Sequence, residues 1–429
     1  MLAQTKFWTY ENKIVAMFFF AVGFVFFDRL IINFLMPFIQ EDLSLDNSQI
    51  GLLASALAIT WAIASVIGGR ISDKVGSKRL YLVVLILAFS VASFFQGFAS
   101  TFAMLIIMRL MMGLFEGPII PVTQSVLAME SSKHRRGFNL GLTMNTANGL
   151  FGSILAPLVI VAVAAAFGWR TAFFLTIIPG LILCLFVFKV MREPKPAGQF
   201  SGPAHLPDDG GAAAAVDSTT GTKGKLKDVL KNRNIILSII MFSGFMVYLM
   251  ALQVFGPIYL TNVKGFTPGS MSIVLAAFGL GTALWGFVVP LISDRIGRKP
   301  SAAMFGLLSI LAPLSLLFFD SPVFMAIAVF IFAAGMGVGG LAMSVIPTES
   351  VSPLYAGLAV GLPTGIGELI GGFLNPMLTG IAADQFGLYV ALIVSSAGAL
   401  VATFFALFLK ETAPRVLERR TNVPLAAQA

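Results

Sequence analysis

The stretch Phe24-Val25-Phe26-Phe27-Asp28-Arg29-Leu30-Ile31-Ile32-Asn33 sets an acid beside a base in the middle of an apolar segment. That segment runs from Ile14 to Phe38, 25 residues, against the roughly 20 that a helix needs to cross a bilayer. Lys13 flanks one end and Glu41-Asp42 the other, so Asp28 and Arg29 fall near the midplane. A charge at that depth costs about 3 kcal/mol or more. A structural ion pair and a functional site are both compatible with two such groups.

The 429 residues are 57% hydrophobic and only 11% charged, with 40 Phe. Soluble domains are nearer a quarter charged, so the composition is that of an integral membrane protein. Cys184 is the single cysteine and lies in an apolar run, which excludes an intrachain disulfide. His134 and His205 fall in loops, and Cys184 has no basic neighbour. No metal centre and no enzymatic chemistry are therefore expected.

Apolar runs of spanning length cover residues 14–38, 49–69, 79–97, 101–128, 137–165 and 171–191. A second set covers 235–260, 270–292, 302–319, 322–349, 354–382 and 386–409. With twelve spans and an inside N-terminus, 24 of the 28 Lys and Arg fall on the cytoplasmic side. Arg170 and Lys264 fall outside, and Arg29 and Arg109 within the membrane. This bias places both termini in the cytoplasm, and the absence of Asn-x-Ser/Thr sequons fits a bacterial inner membrane. The net charge of +8 thus follows topology, and no nucleic-acid partner is expected.

Ile71-Ser72-Asp73-Lys74-Val75-Gly76-Ser77-Lys78 recurs 221 residues later as Ile292-Ser293-Asp294-Arg295-Ile296-Gly297-Arg298-Lys299. The repeat predicts two six-helix halves, 1–191 and 235–411, about a pseudo-twofold axis, with a site where they meet. Residues 192–234 form the connecting segment, and 412–429 a cytoplasmic tail. The centre of the connection, Gly198 to Gly224, lacks the apolar residues of a core. Lys223, Lys225, Lys227, Lys231 and Arg233 then read either as a surface amphipathic helix or as a basic loop.

At this point the chain resembles the major facilitator superfamily. Gly69, Asp73, Lys74, Gly76 and Lys78 match its loop signature Gly-x-x-x-Asp-(Arg/Lys)-x-Gly-x-(Arg/Lys), with a second copy in Asp294, Arg295, Gly297 and Arg298. In that signature Gly69 permits close helix approach, Gly76 a tight turn, and the aspartate an ion pair that locks the halves. The second copy has Pro290 where the first has Gly69. Within the superfamily the chain is similar to the anion:cation symporters, proton-coupled carriers of organic anions such as sugar acids. Asp28-Arg29, Arg109 with Gly113 and Glu116, Gly168-Trp169-Arg170, and Phe255-Gly256-Pro257 carry that similarity. Trp61 stands where that family has a substrate-contacting tyrosine. Spinster-like lipid carriers share the Asp-Arg pair and the Arg/Glu helix, and drug exporters are a further rival.

Arg109 and Glu116 are seven apart, so they share one face of the fourth helix. Glu368 adds a carboxylate at the centre of the eleventh span, and the repeat offset puts it opposite Ala147, between Asn145 and Asn148. Glu349 reads as an exposed helix end. Asp28, Arg29, Arg109 and Glu116 sum to zero. An entering carboxylate would leave −1, and one proton would restore neutrality, since an uncompensated buried charge costs several kcal/mol. The expected roles are Arg29 as bidentate clamp, Glu116 as main proton carrier, and Asp28 as a second carboxylate paired with Arg109. Trp61, Asn145, Asn148, Tyr248 and Gln253 are candidate pocket walls. No cofactor besides the coupling proton is expected, and the partners are a small organic anion and the bilayer, with the protein monomeric.

Overall fold

The computed structural model describes residues 9–132, 135–193, 229–352 and 355–421. The centre of the connecting segment, with its lysines up to Lys227, lies outside the described residues. Among the described residues, twelve helices are long and apolar enough to cross a membrane. They are α1 (Tyr10–Leu43), α2 (Asn47–Ser72), α3 (Lys78–Gln96), α4 (Phe102–Leu127), α5 (Phe138–Phe167) and α6 (Trp169–Val190). The second half contributes α7 (Arg233–Val263), α8 (Pro268–Ile296), α9 (Arg298–Phe318), α10 (Pro322–Ser350), α11 (Ala356–Phe386) and α12 (Tyr389–Ala406). A short amphipathic helix α13 (Pro414–Thr421) follows.

Their ends follow from the sequence. Thr9, Ser77, Thr101 and Thr267 each accept a backbone N–H at a helix start, and Asp46 with Gln49 forms a capping box on α2. The turns before α6 and α12 are made by Gly168 (φ 84°) and Gly387 (φ 95°). Both sit in the left-handed half of backbone space that only glycine enters freely, which marks the two halves as repeats. Pro37 does not close α1. The helix runs through it to Leu43 and stops at Ser44, because a proline in a membrane helix is supported by its neighbours.

Large apolar side chains such as Ile182, Leu185 and Leu291 lie on the outside of the bundle, as a bilayer requires. Inside, α1 packs on α5 and α6, α2 on α4, and α3 on α6 and α4. In the other half α7 packs on α12, α9 on α12, and α8 on α10. The halves meet through α2 against α11, α5 against α8, and α1 against α7. Small residues make these contacts close. A Cβ on Gly51 would sit 2.1 Å from the Pro376 carbonyl oxygen, and one on Gly279 would sit 2.1 Å from that of Ser153.

Side-chain hydrogen bonds join the halves toward the ends that the charge bias assigns outside. Asp384 accepts the backbone N–H groups of Asn47 (2.8 Å) and Ser48 (2.9 Å), together with the Ser48 hydroxyl. Ser55 donates to the Phe373 carbonyl at 2.6 Å, and Asn262 to Gln40 at 3.0 Å. Ile31, Leu35 and Ile39 of α1 form one apolar cluster there with Val254, Phe255 and Ile258 of α7. The halves are sealed at this end.

Candidate functional site

The four charges of the first half converge between α1 and α4. Asp28 is fully buried, and its Oδ1 accepts the Ser93 hydroxyl at 2.6 Å. Thr176 of α6 donates in turn to Ser93 at 3.1 Å. Arg109 is 1% exposed and Glu116 fully buried, as their seven-residue spacing on one face predicts. One Arg109 nitrogen donates to the Arg29 carbonyl oxygen at 3.2 Å, while its Nε and Nη2 have no hydrogen-bond partner. Both Glu116 oxygens are also unpartnered. Arg109 shares the electrostatic field of Glu116, Asp28 and Arg29.

The expected Asp28–Arg109 ion pair is not formed. Ser93 of α3 meets the carboxylate instead, while Arg109 of α4 meets the α1 backbone. Arg109 thereby anchors the main chain of the residue that carries the other guanidinium. Arg29 is only partly covered, and it stays within the electrostatic reach of Arg109 and Glu116. Its guanidinium carbon lies 4.8 Å from the Trp61 ring centroid, a cation–π separation. The Trp61 indole N–H has no partner.

Glu368 heads a wide helical turn, Glu368–Leu374, in α11, and Asn148 heads a similar one, Asn148–Leu155, in α5. Such turns recur at functional sites in membrane helices. Each ends two residues before a proline, Pro157 in one half and Pro376 in the other, so the repeat extends to the backbone itself. Glu368 is partly covered, has one unpartnered oxygen, and lies beside Gly372 and within the field of Arg29. Arg29 of one half is thus within electrostatic reach of an acid of the other. Asn148 and Gln253 are also partly covered, whereas the Asn145 side chain lies outside the described residues.

Tyr248 is a correction. It is 1% exposed, with its ring packed against Phe245, Phe278 and the Gly335 backbone in the core of the second half. Position on α7 faced it toward α8 and α10, so it is not a wall of the interface. Glu349 is a second correction. Instead of ending a helix in solvent, it takes Nε (3.1 Å) and Nη2 (2.7 Å) of Arg298, and Asp294 holds Nη1 at 2.6 Å.

The loop repeats differ from expectation as well. Close approach belongs to Gly68, where a Cβ would sit 2.3 Å from Pro118, while Gly69 has only Pro121 at 4.0 Å. Gly76 has open space around it and no positive φ. Its counterpart Gly297 has φ 110°, and a Cβ there would meet Glu411 at 2.4 Å. The Asp73 side chain lies outside the described residues; Lys74 and Arg295 are exposed, and Lys78 reaches Ser125 at 3.4 Å. Gly168-Trp169-Arg170 is a brace, with Arg170 on Asp42 at 2.6 Å and on the Ala99 carbonyl at 3.1 Å.

Sequence reasoning missed Ser93, Thr176 and Asp384. For Ser93 a signal was available, because Ser90, Ser93 and Gln96 make a buried polar ridge at three-residue spacing on otherwise apolar α3.

A family model described as Major Facilitator Superfamily matches residues 18–374. The sequence is similar to the hexuronate transporter of Bacillus subtilis (strain 168), 27% identical over 405 residues that cover 90% of this chain and 92% of that protein. It is 28% identical over 421 residues to the D-galactonate transporter of Escherichia coli O6:H1, covering 94% and 96%. In fold it is similar to a bacterial homologue of the human lysosomal transporter Spinster in an inward-facing, unoccupied conformation. The TM-score is 0.76 at 18% identity, covering 96% of this chain and 98% of that one.

Proposed function

This chain belongs to the major facilitator superfamily and is a multi-pass membrane transporter, and from that premise we propose that it carries a small organic anion inward together with a proton. The observation that carries the proposal is Arg29. Of the four charges that the first half buries in the membrane, it alone is open enough to meet a ligand, and its guanidinium carbon sits 4.8 Å from the Trp61 ring centroid. A planar guanidinium binds a carboxylate through two parallel hydrogen bonds. Relatives named for hexuronate and D-galactonate support a sugar-acid carboxylate as the ligand.

Behind Arg29, Asp28, Arg109 and Glu116 supply two acids and one base, so the set with Arg29 is neutral. A bound carboxylate makes it −1, and a proton on Glu116 or Asp28 returns it to zero. The neutral, loaded carrier then reorients without moving an uncompensated charge through low dielectric. Arg109 links the two events, because it touches the Arg29 backbone and shares the field of both acids. The cycle is alternating access, with the seal at Asn47, Ser48 and Asp384 opening to admit substrate from outside. The orientation has both termini in the cytoplasm of a bacterial cell, as the positive charge bias supports.

The test is uptake into proteoliposomes. Labelled D-galactonate and D-galacturonate should accumulate above equilibrium when the lumen is alkaline, and collapse of the pH gradient should abolish that accumulation. Uptake that ignores the gradient would sink proton coupling. Equal uptake of neutral hexoses would sink the anion assignment.

A further inference from the structure

A second cleft lies far from the interface of the halves, where α8 ends, α9 begins and the tail helix α13 folds back. It has a volume of about 380 Å³ and is lined by Ile296, Lys299, Pro300, Leu409, Lys410 and Val416, with Glu411 and Leu417. Lys299 and Lys410 are both exposed, and neither ammonium group has an acidic partner among the described residues. The one acid in the wall is already occupied. Glu411 accepts the backbone N–H groups of Arg298 (2.7 Å), Lys299 (3.2 Å), Thr412 (3.0 Å) and Ala413 (2.9 Å). With two lysines against one carboxylate the cleft is net positive, and that charge is held on two flexible stems.

Its other wall is apolar and continuous with the lipid-facing side of the bundle. Ile296 is 46% and Leu417 42% exposed. Arg415 and Arg419 of α13 are exposed as well. The apolar residues Val416 and Leu417 of this helix line the cleft. A cleft with cations at its mouth and aliphatic carbon along its wall matches an amphiphile with an anionic head.

We propose that this cleft binds an anionic phospholipid of the cytoplasmic leaflet, with the phosphate between Lys299 and Lys410 and an acyl chain along Ile296 and Leu417. The leaflet, but not the chemistry, rests on the orientation proposed above. A zwitterionic lipid brings its own ammonium group against the two lysines and is disfavoured. Free phosphate satisfies the lysines and leaves the apolar wall uncovered. Through Glu411 the site joins the α9 start to the tail, so the bound lipid holds α13 against α8.

The experiment is lipid retention by the purified full-length protein in neutral detergent, read by native mass spectrometry. Phosphatidylglycerol should be retained over phosphatidylcholine with the same acyl chains. Each lysine near an anionic lipid contributes on the order of fivefold in affinity, so Lys299→Gln with Lys410→Gln should lose about 25-fold. Arginine at both positions should restore retention. Should the paired glutamine variant fail to fold, Lys410→Glu alone should show the same loss of selectivity. Equal retention of the two lipids by the unaltered protein would overturn the proposal, as would undiminished phosphatidylglycerol binding in the glutamine variant. Displacement by millimolar glycerol 1-phosphate would mean a phosphate site and would also overturn it. Binding in detergent requires neither transport nor a particular orientation, so its failure leaves the transport proposal standing.

Discussion

Asp384→Ala should open the outer side. The carboxylate takes three hydrogen bonds from the first turn of α2 across the interface of the halves. Two of the donors are backbone N–H groups at the positive end of that helix. The site is exposed, so each bond is taken at the low end of its range, roughly 0.5–1 kcal/mol, giving about 2 kcal/mol in all. Those bonds exist only while the ends are together. Their loss therefore shifts the balance between closed and open outer gates by about thirtyfold. The assay uses Ser55, which is fully buried and bonded to the Phe373 carbonyl across the same seam. In a Cys184→Ser background, Ser55→Cys should react slowly with a membrane-impermeant maleimide, and about thirtyfold faster once Asp384 is alanine. Asp46→Ala is the control. It uncaps the same helix within its own half and leaves the seam intact. An unchanged rate with Asp384→Ala, or an equal acceleration with Asp46→Ala, would refute the latch.

Arg29→Lys should weaken substrate binding at least tenfold with the fold intact, since the ammonium keeps the charge but loses the planar fork; near-normal affinity by calorimetry would remove Arg29 from the site. Glu116→Gln should preserve counterflow of labelled substrate while abolishing accumulation driven by a pH gradient. If gradient-driven uptake survives, the coupling carboxylate is Asp28 or Glu368. Gly297→Ala should lower the thermal midpoint clearly, because it combines a positive φ with a 2.4 Å approach to Glu411. Gly76→Ala, with nothing within 4 Å, should leave that midpoint unchanged.

The twelve spans were legible because a bilayer admits only helices that satisfy their own backbone, so apolar length translates directly into architecture. The repeat at Asp73 and Asp294 was enough to infer two halves. Charges at membrane depth are too costly to be incidental, which is why Asp28, Arg29, Arg109 and Glu116 stood out without coordinates. Their partners did not stand out. Whether Asp28 meets Arg109 or Ser93 depends on which helix packs on which side of α1; the polar ridge of Ser90, Ser93 and Gln96 marks a face of α3 but does not name the residue it meets. Tyr248 shows the same limit: a polar tip on a membrane helix does not say which neighbour the ring will face. Glu349 and Asp384 lie at helix ends, where the sequence permits solvent or a partner equally. The local physics of depth, caps and spacing is written along the chain. The choice of partners for each buried polar atom belongs to helix packing, because contacts between residues hundreds of positions apart leave no periodic trace in either segment.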